Sequence, residues 1–208
     1  MSSIVTVNLE NLSESAREEV LRSLEQPDTA RPTNPLHGVK DGETFTIAGI
    51  ELIKFPAVNG KVPVMTRDCL FASQFGDHTN DLSKSPILKK MVEEVLPKVI
   101  EAVGEENVCT FDTDLTTLDG LKPYGVLKSQ VSLPTLDFYR ANVEIFDKYK
   151  VDRWFWLATP ESAKPHDDPY WTLCVSPSGG LDYYNYGNDY GVRPFFYFES
   201  SIFGSFEE

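Results

Sequence analysis

The pattern of apolar positions is densest near the C-terminal end of the chain. Trp154-Phe155-Trp156-Leu157 puts large apolar side chains on both faces of an extended strand, because successive side chains of a strand point to opposite faces. A strand that is apolar on both faces is typical of the middle of a sheet. We therefore expect a central strand here, with Trp154, Trp156 and Trp171 in the core.

The residues that follow predict the other strands of this region. Tyr170 to Val175 alternates in polarity and should pair near the tryptophan-rich strand, Pro177 to Gly180 predicts a turn, and Phe195 to Phe198 predicts a closing apolar strand. Leu181 to Asp189 is polar but rich in rings, and we interpret it as a loop. Arg193 lies inside the closing segment, so we expect a buried or half-buried partner for it, most simply a carboxylate.

Shorter patterns predict a hairpin in the first half of the chain. Thr44 to Lys54 is strand-like, and Val62 to Met65 forms a return strand. Asn59-Gly60 between them favours a tight turn, because a type I′ turn needs positive φ at both central residues. Asp68 to Asp81 has mixed polarity and is interpreted as a loop.

Two segments have the spacing of amphipathic helices. The first opens at Ser85-Pro86, with proline at the first helical position, and Gly104 is its expected C-terminal cap. Pro97 should kink this helix or split it in two. Pro134 to Tyr149 is predicted to be the second helix, with apolar residues at helical intervals.

The N-terminal residues 1–40 form a separate unit in this prediction. Ser15 and Glu18 fit a capping box, and the apolar spacing that follows predicts a short helix over residues 11–26. A stretch that contains several prolines follows and is interpreted as a linker. Residues 41–208 then form one main domain, and the N-terminal helix is a candidate device for assembly into oligomers.

The charge of the chain excludes some partners. Its 208 residues have a formal net charge of -13 and no basic stripe, whereas affinity for nucleic acid depends on clustered Lys and Arg. No apolar run reaches the roughly 20 residues that span a bilayer, and Met1 to Glu10 lacks the features of a signal peptide. We therefore predict a protein that binds neither nucleic acid directly nor membrane and stays in the cytoplasm of the producing cell.

The order of the C-terminal segments resembles a known signature. "WFWLATP", "WTLCVSPSGG" and "YNYGNDYGVRPFFYF" are similar to the W-W-L-R-S-P strand, the glycine hairpin and the closing G-V-R-P strand of a widespread domain family of gut bacteria and their phages. That family in turn resembles the formylglycine-generating-enzyme type of C-type-lectin fold, which the variable proteins of diversity-generating retroelements share. The resemblance is strong over Trp154 to Phe198 and weaker over Phe45 to Tyr149, and residues 1–40 lie outside it.

The resemblance implies a fold and a setting. It implies an α+β, C-type-lectin-like domain with a small twisted antiparallel sheet flanked by two helices, in addition to the N-terminal helix. It also implies a phage or prophage protein, with association to the virion as one setting. One departure is that Ala158-Thr159 stands where the family has Arg-Ser, so a guanidinium available to brace this loop in relatives is absent.

The most suggestive stretch for function is the tyrosine-rich segment, residues 182–190. Four of its nine residues are Tyr, which offers a large contact area with few rotamers to order, and Asn adds adaptable hydrogen bonding. Retroelement-diversified proteins carry such stretches just before their closing strand, so the resemblance implies a ligand-contacting surface. The alternative is an ordinary turn-rich hairpin loop. The predicted ligand-binding residues are Asp182, Tyr183, Tyr184, Asn185, Tyr186, Asn188, Asp189 and Tyr190.

Metal binding has less support in the sequence. His166-Asp167-Asp168, with Asp182 and Asp189, offers ligands for calcium, but the spacing of a calcium loop is absent, and a solvated acidic loop is the favoured interpretation. Formylglycine-generating relatives hold copper with a close pair of cysteines, whereas the cysteines here are far apart along the chain. They are Cys69, Cys109 and Cys174.

The sequence contains no recognisable catalytic motif. The sequence has no G-x-S-x-G and no phosphate-binding glycine loop, and the carboxylate pair Asp112 and Asp114 is of a kind that acidic proteins contain by chance. We therefore predict no catalytic residue, no metal and no cofactor.

Three functional hypotheses remain open. The first is a non-enzymatic binding module for a protein or glycan. The second is an acidic inhibitor or regulatory protein that acts on a basic partner, such as a nucleic-acid-binding defence enzyme, with an affinity that falls steeply as ionic strength rises. The third is a degenerate enzyme of the formylglycine-generating type, which requires bound copper or a pair of cysteines brought together in space.

Overall fold

The computed structural model describes residues 36–164 and 170–204, which form an α+β structure of mostly sheet with few helices. The α+β class agrees with the prediction. The predicted N-terminal helix at residues 11–26 and the acidic segment His166 to Asp168 lie outside the described residues.

The regular elements are short. The strands, in chain order, are β1 (Thr44–Ile47), β2 (Ile50–Lys54), β3 (Lys61–Thr66), β4 (Phe71–Ser73), β5 (Phe111–Asp114), β6 (Val126–Ser129), β7 (Phe155–Pro160), β8 (Trp171–Val175), β9 (Leu181–Asn185), β10 (Tyr190–Val192) and β11 (Phe195–Glu199). The α-helices are α1 (Pro86–Lys90), α2 (Leu96–Val103), α3 (Leu136–Ala141) and α4 (Val143–Lys148). Single 3₁₀ turns are formed by Leu82–Lys84, Glu105–Asn107 and Ser200–Phe203.

The strands form three sheets within the described residues. The first has the order β1-β2-β3-β11, and every neighbouring pair is antiparallel. The second has the order β4-β10-β7-β8-β9, in which the β10–β7 pair is parallel and the other pairs are antiparallel. The third contains only β5 and β6. The prediction of one small antiparallel sheet is therefore wrong in the number of sheets and in the parallel pair.

The tryptophan-rich strand β7 is central in its sheet, as its two apolar faces predict. Trp156 and Ala158 are buried in one hydrophobic cluster, and Phe155 and Leu157 are buried in another. Helices α1 and α2 contribute to the first cluster, and α3 and α4 contribute to the second. The two predicted helical segments therefore pack in different hydrophobic clusters, on opposite faces of β7.

Two tight turns shape the first sheet. Asn59 and Gly60, with φ of 51° and 75°, connect β2 to β3, which confirms the predicted hairpin. Ala48 and Gly49, with φ of 50° and 76°, connect β1 to β2, so the single strand predicted over residues 44–54 is a second hairpin. The sequence did not indicate this turn, because a residue with a Cβ rarely adopts positive φ.

A short strand also lies inside the segment Asp68 to Asp81, for which the sequence predicts a loop. This strand, β4, has three residues and pairs with β10. Three residues are too few for an alternation of polarity to be recognised, so the pairing is a tertiary effect.

The first helical segment begins and ends as predicted. Ser85 Oγ accepts a hydrogen bond from the Ile87 N–H at 3.1 Å, and Pro86 follows the cap directly. A π-helical turn over Met91–Val95 separates α1 from α2, so the segment is divided next to Pro97, which lies in the first turn of α2. Gly104, with a φ of 87°, ends α2.

The second helical segment is divided as well, so the single helix predicted over residues 134–149 is wrong in its continuity. Thr135 Oγ1 caps α3 by accepting a hydrogen bond from the Phe138 N–H at 3.2 Å. Asn142 leaves the helical conformation, with φ -128° and ψ 25°, and its amide donates to the Phe138 carbonyl at 3.0 Å. An Asn side chain competes in this way with the backbone bonds of a helix.

Arg193 is fully buried where the chain passes from the second sheet to the first. Its Nε donates to the Thr66 carbonyl at 3.0 Å, and its Nη2 donates to the Arg67 carbonyl at 2.6 Å. The guanidinium lies 5.0 Å from the ring centroid of Phe155. Burial lowers the pKa of Arg193 to about 10, so the side chain stays charged at neutral pH. The predicted carboxylate partner is therefore wrong, because backbone carbonyls accept these hydrogen bonds.

Replacement of Arg193 by Met is expected to lower the free energy of unfolding by about 3 kcal/mol, because two carbonyls stay buried without their donor. Arg193→Lys should recover only part of the loss, because an ammonium group cannot reproduce the planar contact of a guanidinium. Urea unfolding measures both values. The control is Arg67→Met, since this side chain is 42% exposed and surface ion pairs contribute at most about 1 kcal/mol. Equal stability of wild type and Arg193→Met would contradict the role given to Arg193.

Candidate functional site

The first half of the tyrosine-rich segment is a strand, which corrects the prediction of a loop over 181–189. Leu181–Asn185 forms β9 and pairs in continuous antiparallel register with β8. Tyrosine favours a pleated, half-buried surface, and the paired partner strand outweighs the turn preference of the neighbouring Asp and Asn. Within the described residues, β9 is the last strand of its sheet. We call residues 181–190 the aromatic edge.

The second half of the segment is a turn that Asn185 organises. The Asn185 Oδ1 accepts a hydrogen bond from the Gly187 N–H at 2.7 Å. The Asn185 carbonyl accepts hydrogen bonds from the backbone N–H and the amide of Asn188, both at 3.0 Å. Two of the predicted ligand-binding residues therefore also hold the shape of the turn. The turn is joined to the loop after β4, because the Phe75 N–H donates to the Tyr186 carbonyl at 2.7 Å.

Three rings meet on one face of the aromatic edge. Tyr184 lies 5.2 Å from Trp154 and 5.7 Å from Tyr190, measured between ring centroids. Trp154 and Tyr190 lie 5.9 Å apart with nearly parallel planes. We call these residues the three-ring cluster. Tyr190 also packs against the fully buried Trp156 at 4.6 Å, so the cluster is anchored to the core.

A second ring contact lies on the opposite face of β9. Tyr183 and Trp171 have ring centroids 5.2 Å apart and planes tilted by 31°. Trp171 shares its face of β8 with the buried Leu173, which belongs to the other hydrophobic cluster. Tyr183 and Tyr184 are 40% and 38% exposed, so rings reach solvent on both faces of one strand.

Of the three tryptophans predicted to be core, only Trp156 is fully buried, while Trp154 is partly buried against the first hydrophobic cluster and Trp171 is partly buried. Trp156 is completely buried, and its Nε1 donates to the Ser73 carbonyl at 2.9 Å. Trp154 and Trp171 are partly exposed, and each joins a tyrosine of the aromatic edge. Trp154 immediately precedes β7, and Trp171 is the first residue of β8. A tryptophan at the edge of a predicted strand can join a surface site, and this position in the sequence could have identified Trp154 and Trp171 as site residues.

Tyr186 lies apart from both ring contacts and faces His78. Its hydroxyl is 3.0 Å from the His78 Nδ1. His78 also lines an open cleft of about 980 Å³, together with Asp77, Lys84 and Lys89. The cleft carries charges of both signs and does not include the exposed rings of Tyr183 and Tyr184. The tyrosine-rich segment therefore does not form one site from all of its members.

The charge of the aromatic edge is purely acidic. Asp182 and Asp189 are exposed, and no Lys, Arg or His occurs between Trp171 and Val192. Burial raises the pKa of the Tyr190 hydroxyl above its ordinary value, and the neighbouring Cys174, Tyr184 and Asp182 act in the same direction. The Tyr190 hydroxyl therefore stays a neutral hydrogen-bonding group at physiological pH.

The cysteines lie in three different surroundings, and all are free thiols. Burial raises the pKa of Cys69 to about 11 and that of Cys174 to about 12. Burial, with a hydrogen bond to Glu199, raises the pKa of Cys109 to about 12. A thiol with a raised pKa is a weak nucleophile and a weak metal ligand at neutral pH, because the thiolate is the reactive form.

Asp112 and Asp114 both lie on β5, and Asp114 has a structural role. Asp114 Oδ1 accepts hydrogen bonds from the Thr116 hydroxyl at 2.5 Å and from the Thr116 N–H at 2.8 Å. These bonds hold the pKa of Asp114 below its ordinary value, which is unsuitable for a general acid. Among the described residues, no group of three or more His, Cys, Asp or Glu side chains is arranged to hold a metal ion.

Comparison with known proteins gives no family model, no curated protein and no solved structure that matches the chain. Among residues 36–164 and 170–204, no helix is long and apolar enough to cross a membrane.

The thiols are expected to react with a disulfide reagent at neutral pH at least tenfold more slowly than free cysteine does, because their raised pKa values leave little thiolate. Cys69 should react first, since it is only partly buried, whereas Cys109 and Cys174 are buried. Stopped-flow absorbance with an aromatic disulfide measures the rates, and the same protein in urea is the control. A thiol that reacts faster than free cysteine would instead favour the degenerate-enzyme hypothesis.

Proposed function

We propose that this chain is a non-enzymatic binding module whose contact surface is the aromatic edge, and that its ligand is a protein or a glycan. The observation that carries the proposal is the exposure of aromatic rings on both faces of a terminal strand. Exposed edge strands usually carry charges, prolines or bulges that prevent further pairing. Tyrosines on such a strand, with tryptophans packed beside them, instead offer a rigid contact area, and both residue types are enriched in binding surfaces.

The proposed roles of the eight predicted residues differ. Tyr183 and Tyr184 contact the ligand directly, because they are the most exposed rings of the segment. Asp182 and Asp189 supply exposed negative charge. Tyr190 supports the Tyr184 ring from the core side. The remaining residues, Asn185, Tyr186 and Asn188, hold or extend the turn.

The proposal includes a C-type-lectin-like fold and a phage or prophage origin, both of which rest on the resemblance of the C-terminal segments. The element order is compatible with this fold. A central strand, β7, is followed by the β8–β9 hairpin, by the turn after β9, and by the last two strands, β10 and β11. The surface that varies in retroelement-diversified proteins would correspond to the turn before β10.

The acidic inhibitor is the second candidate, because the net charge is -13. Such a protein would bind a basic partner through summed charge rather than through particular rings. The two candidates therefore predict different responses to the loss of the exposed tyrosines and to salt.

Truncation of the exposed rings in the double variant Tyr183→Ala/Tyr184→Ala is expected to lower affinity for the ligand at least tenfold, because exposed aromatic anchors dominate binding energy. Peptide and glycan arrays identify the ligand, and calorimetry measures the affinity. The matched control is Leu118→Ala/Val126→Ala, which truncates two side chains that are 46% and 57% exposed elsewhere. Equal affinity of both double variants and wild type for every ligand would show that the site is elsewhere.

The salt response separates the two candidates. Under the inhibitor hypothesis, affinity should fall more than about tenfold between about 0.05 M and about 0.5 M NaCl and should be unchanged in Tyr183→Ala/Tyr184→Ala. Under the binding-module proposal, the tyrosine variant loses affinity at every salt concentration. Titration of the wild type and this variant at both concentrations distinguishes the outcomes.

A further inference from the structure

The hydrogen bonds between β8 and β9 define which backbone groups of the aromatic edge face outward. The Ser176 N–H donates to the Gly180 carbonyl at 2.8 Å, immediately before β9 begins. Because bonded and non-bonded pairs alternate along antiparallel strands, the backbone groups of Asp182 and Tyr184 face β8. The residues whose backbone groups point away from the sheet are Leu181, Tyr183 and Asn185.

Part of this outward edge is occupied by local contacts. The Tyr183 N–H donates to the Asp182 Oδ1 at 2.8 Å, and the Asn185 carbonyl accepts from Asn188 at 3.0 Å. Within the described residues, the Leu181 backbone groups and the Tyr183 carbonyl have no hydrogen-bond partner. Backbone groups of this kind on a terminal strand are a template for pairing with another strand.

We propose that β9 binds by strand addition, and that its occupant is an extended, basic segment of another protein. The inference rests on the proposed function, because it uses the same surface, and it specifies both the class of ligand and the way it binds. The added strand forms main-chain hydrogen bonds with Leu181 and Tyr183. Its alternate side chains then lie over the three-ring cluster on one face and over the Tyr183–Trp171 contact on the other.

The presence of rings on both faces favours a polypeptide over a sugar. Side chains of an added strand project alternately to the two faces, so both ring contacts are used. A sugar ring would stack on one face and would leave the outward backbone groups unpaired. The two-sided arrangement of Tyr183 and Tyr184 is therefore explained by a strand and not by a glycan.

Charge complementarity favours a basic occupant. Asp182 and Asp189 are the charged residues between Trp171 and Val192. When the incoming strand supplies a carbonyl to the Tyr183 N–H, it displaces the Asp182 carboxylate, which is then available to pair with Lys or Arg. Cations also bind favourably over the faces of tyrosine and tryptophan rings. A second copy of this chain would instead bring two Asp182 carboxylates together.

The test uses synthetic peptides of about eight residues, a typical strand length, in which Lys alternates with Val or Thr. We expect these peptides to bind wild type at least tenfold more tightly than peptides in which Glu replaces Lys. Leu181→Pro removes an outward N–H that β8 does not use, and it should lower affinity for the basic peptide at least tenfold. The matched variant Leu181→Ala keeps this N–H and should bind the basic peptide at least about threefold more tightly than Leu181→Pro does. Fluorescence anisotropy of labelled peptides measures the affinities.

A second measurement needs no variant of the protein, so it remains informative if Leu181→Pro does not fold. Methylation of alternate amide nitrogens in the basic peptide should abolish binding in one register of methylation and leave it unchanged in the other. Binding that is insensitive to methylation in both registers would overturn strand addition.

The failure of this inference and the failure of the proposed function give different results. If Tyr183→Ala/Tyr184→Ala loses a glycan ligand while no basic peptide binds, the aromatic edge is the site and strand addition is wrong. The same conclusion holds if a peptide binds equally to wild type and to folded Leu181→Pro. If no peptide or glycan depends on the two tyrosines, both the inference and the proposed function are wrong.

Discussion

The burial of the charged Arg193 guanidinium where the chain passes from one of the two larger sheets to the other is the constraint on which the rest of the structure depends. Arg193 has no exposed surface and donates to two carbonyls at the end of β3. A buried cation is costly unless it is paired, so these contacts define one position for the chain as it leaves β10 and enters β11. The Thr66 N–H, which donates to the Pro194 carbonyl at 3.0 Å, closes the same junction from the other side.

The rings of the aromatic edge are held in place by contacts that connect them to β7 and to the Arg193 junction. Tyr190 is the first residue of β10, the strand that directly precedes Arg193. Its ring packs on Trp156 of the central strand. The position of Tyr190 in turn supports Tyr184 and Trp154. A surface of rings is useful for binding when it is already ordered, because less conformational entropy is then lost on association. The rigid core and the exposed edge are therefore parts of one arrangement.

Several elements could be predicted because their signals are local. Asn59-Gly60 forms its hairpin, Ser85-Pro86 begins its helix and Gly104 ends it, since the backbone preferences of those residues suffice. The turn at Ala48-Gly49 and the strand β4 have no such local signal. They form because β1 pairs with β2 and β4 pairs with β10. Likewise, the segment 181–185 has loop-like composition, and its pairing with β8 makes it a strand.

The sequence by itself determined that β7 is apolar on both faces and that tyrosines and acidic residues gather before the closing strand. Periodicity and composition are properties of the chain, so both could be known without coordinates. Only the tertiary structure decided which rings reach solvent. Trp154, immediately before β7, and Trp171, the first residue of β8, are as apolar as Trp156 but only partly buried. Trp156 lies within the central strand and is fully buried. The exposure of a ring depends on which residues pack around it. For the aromatic edge, those residues come from distant parts of the chain.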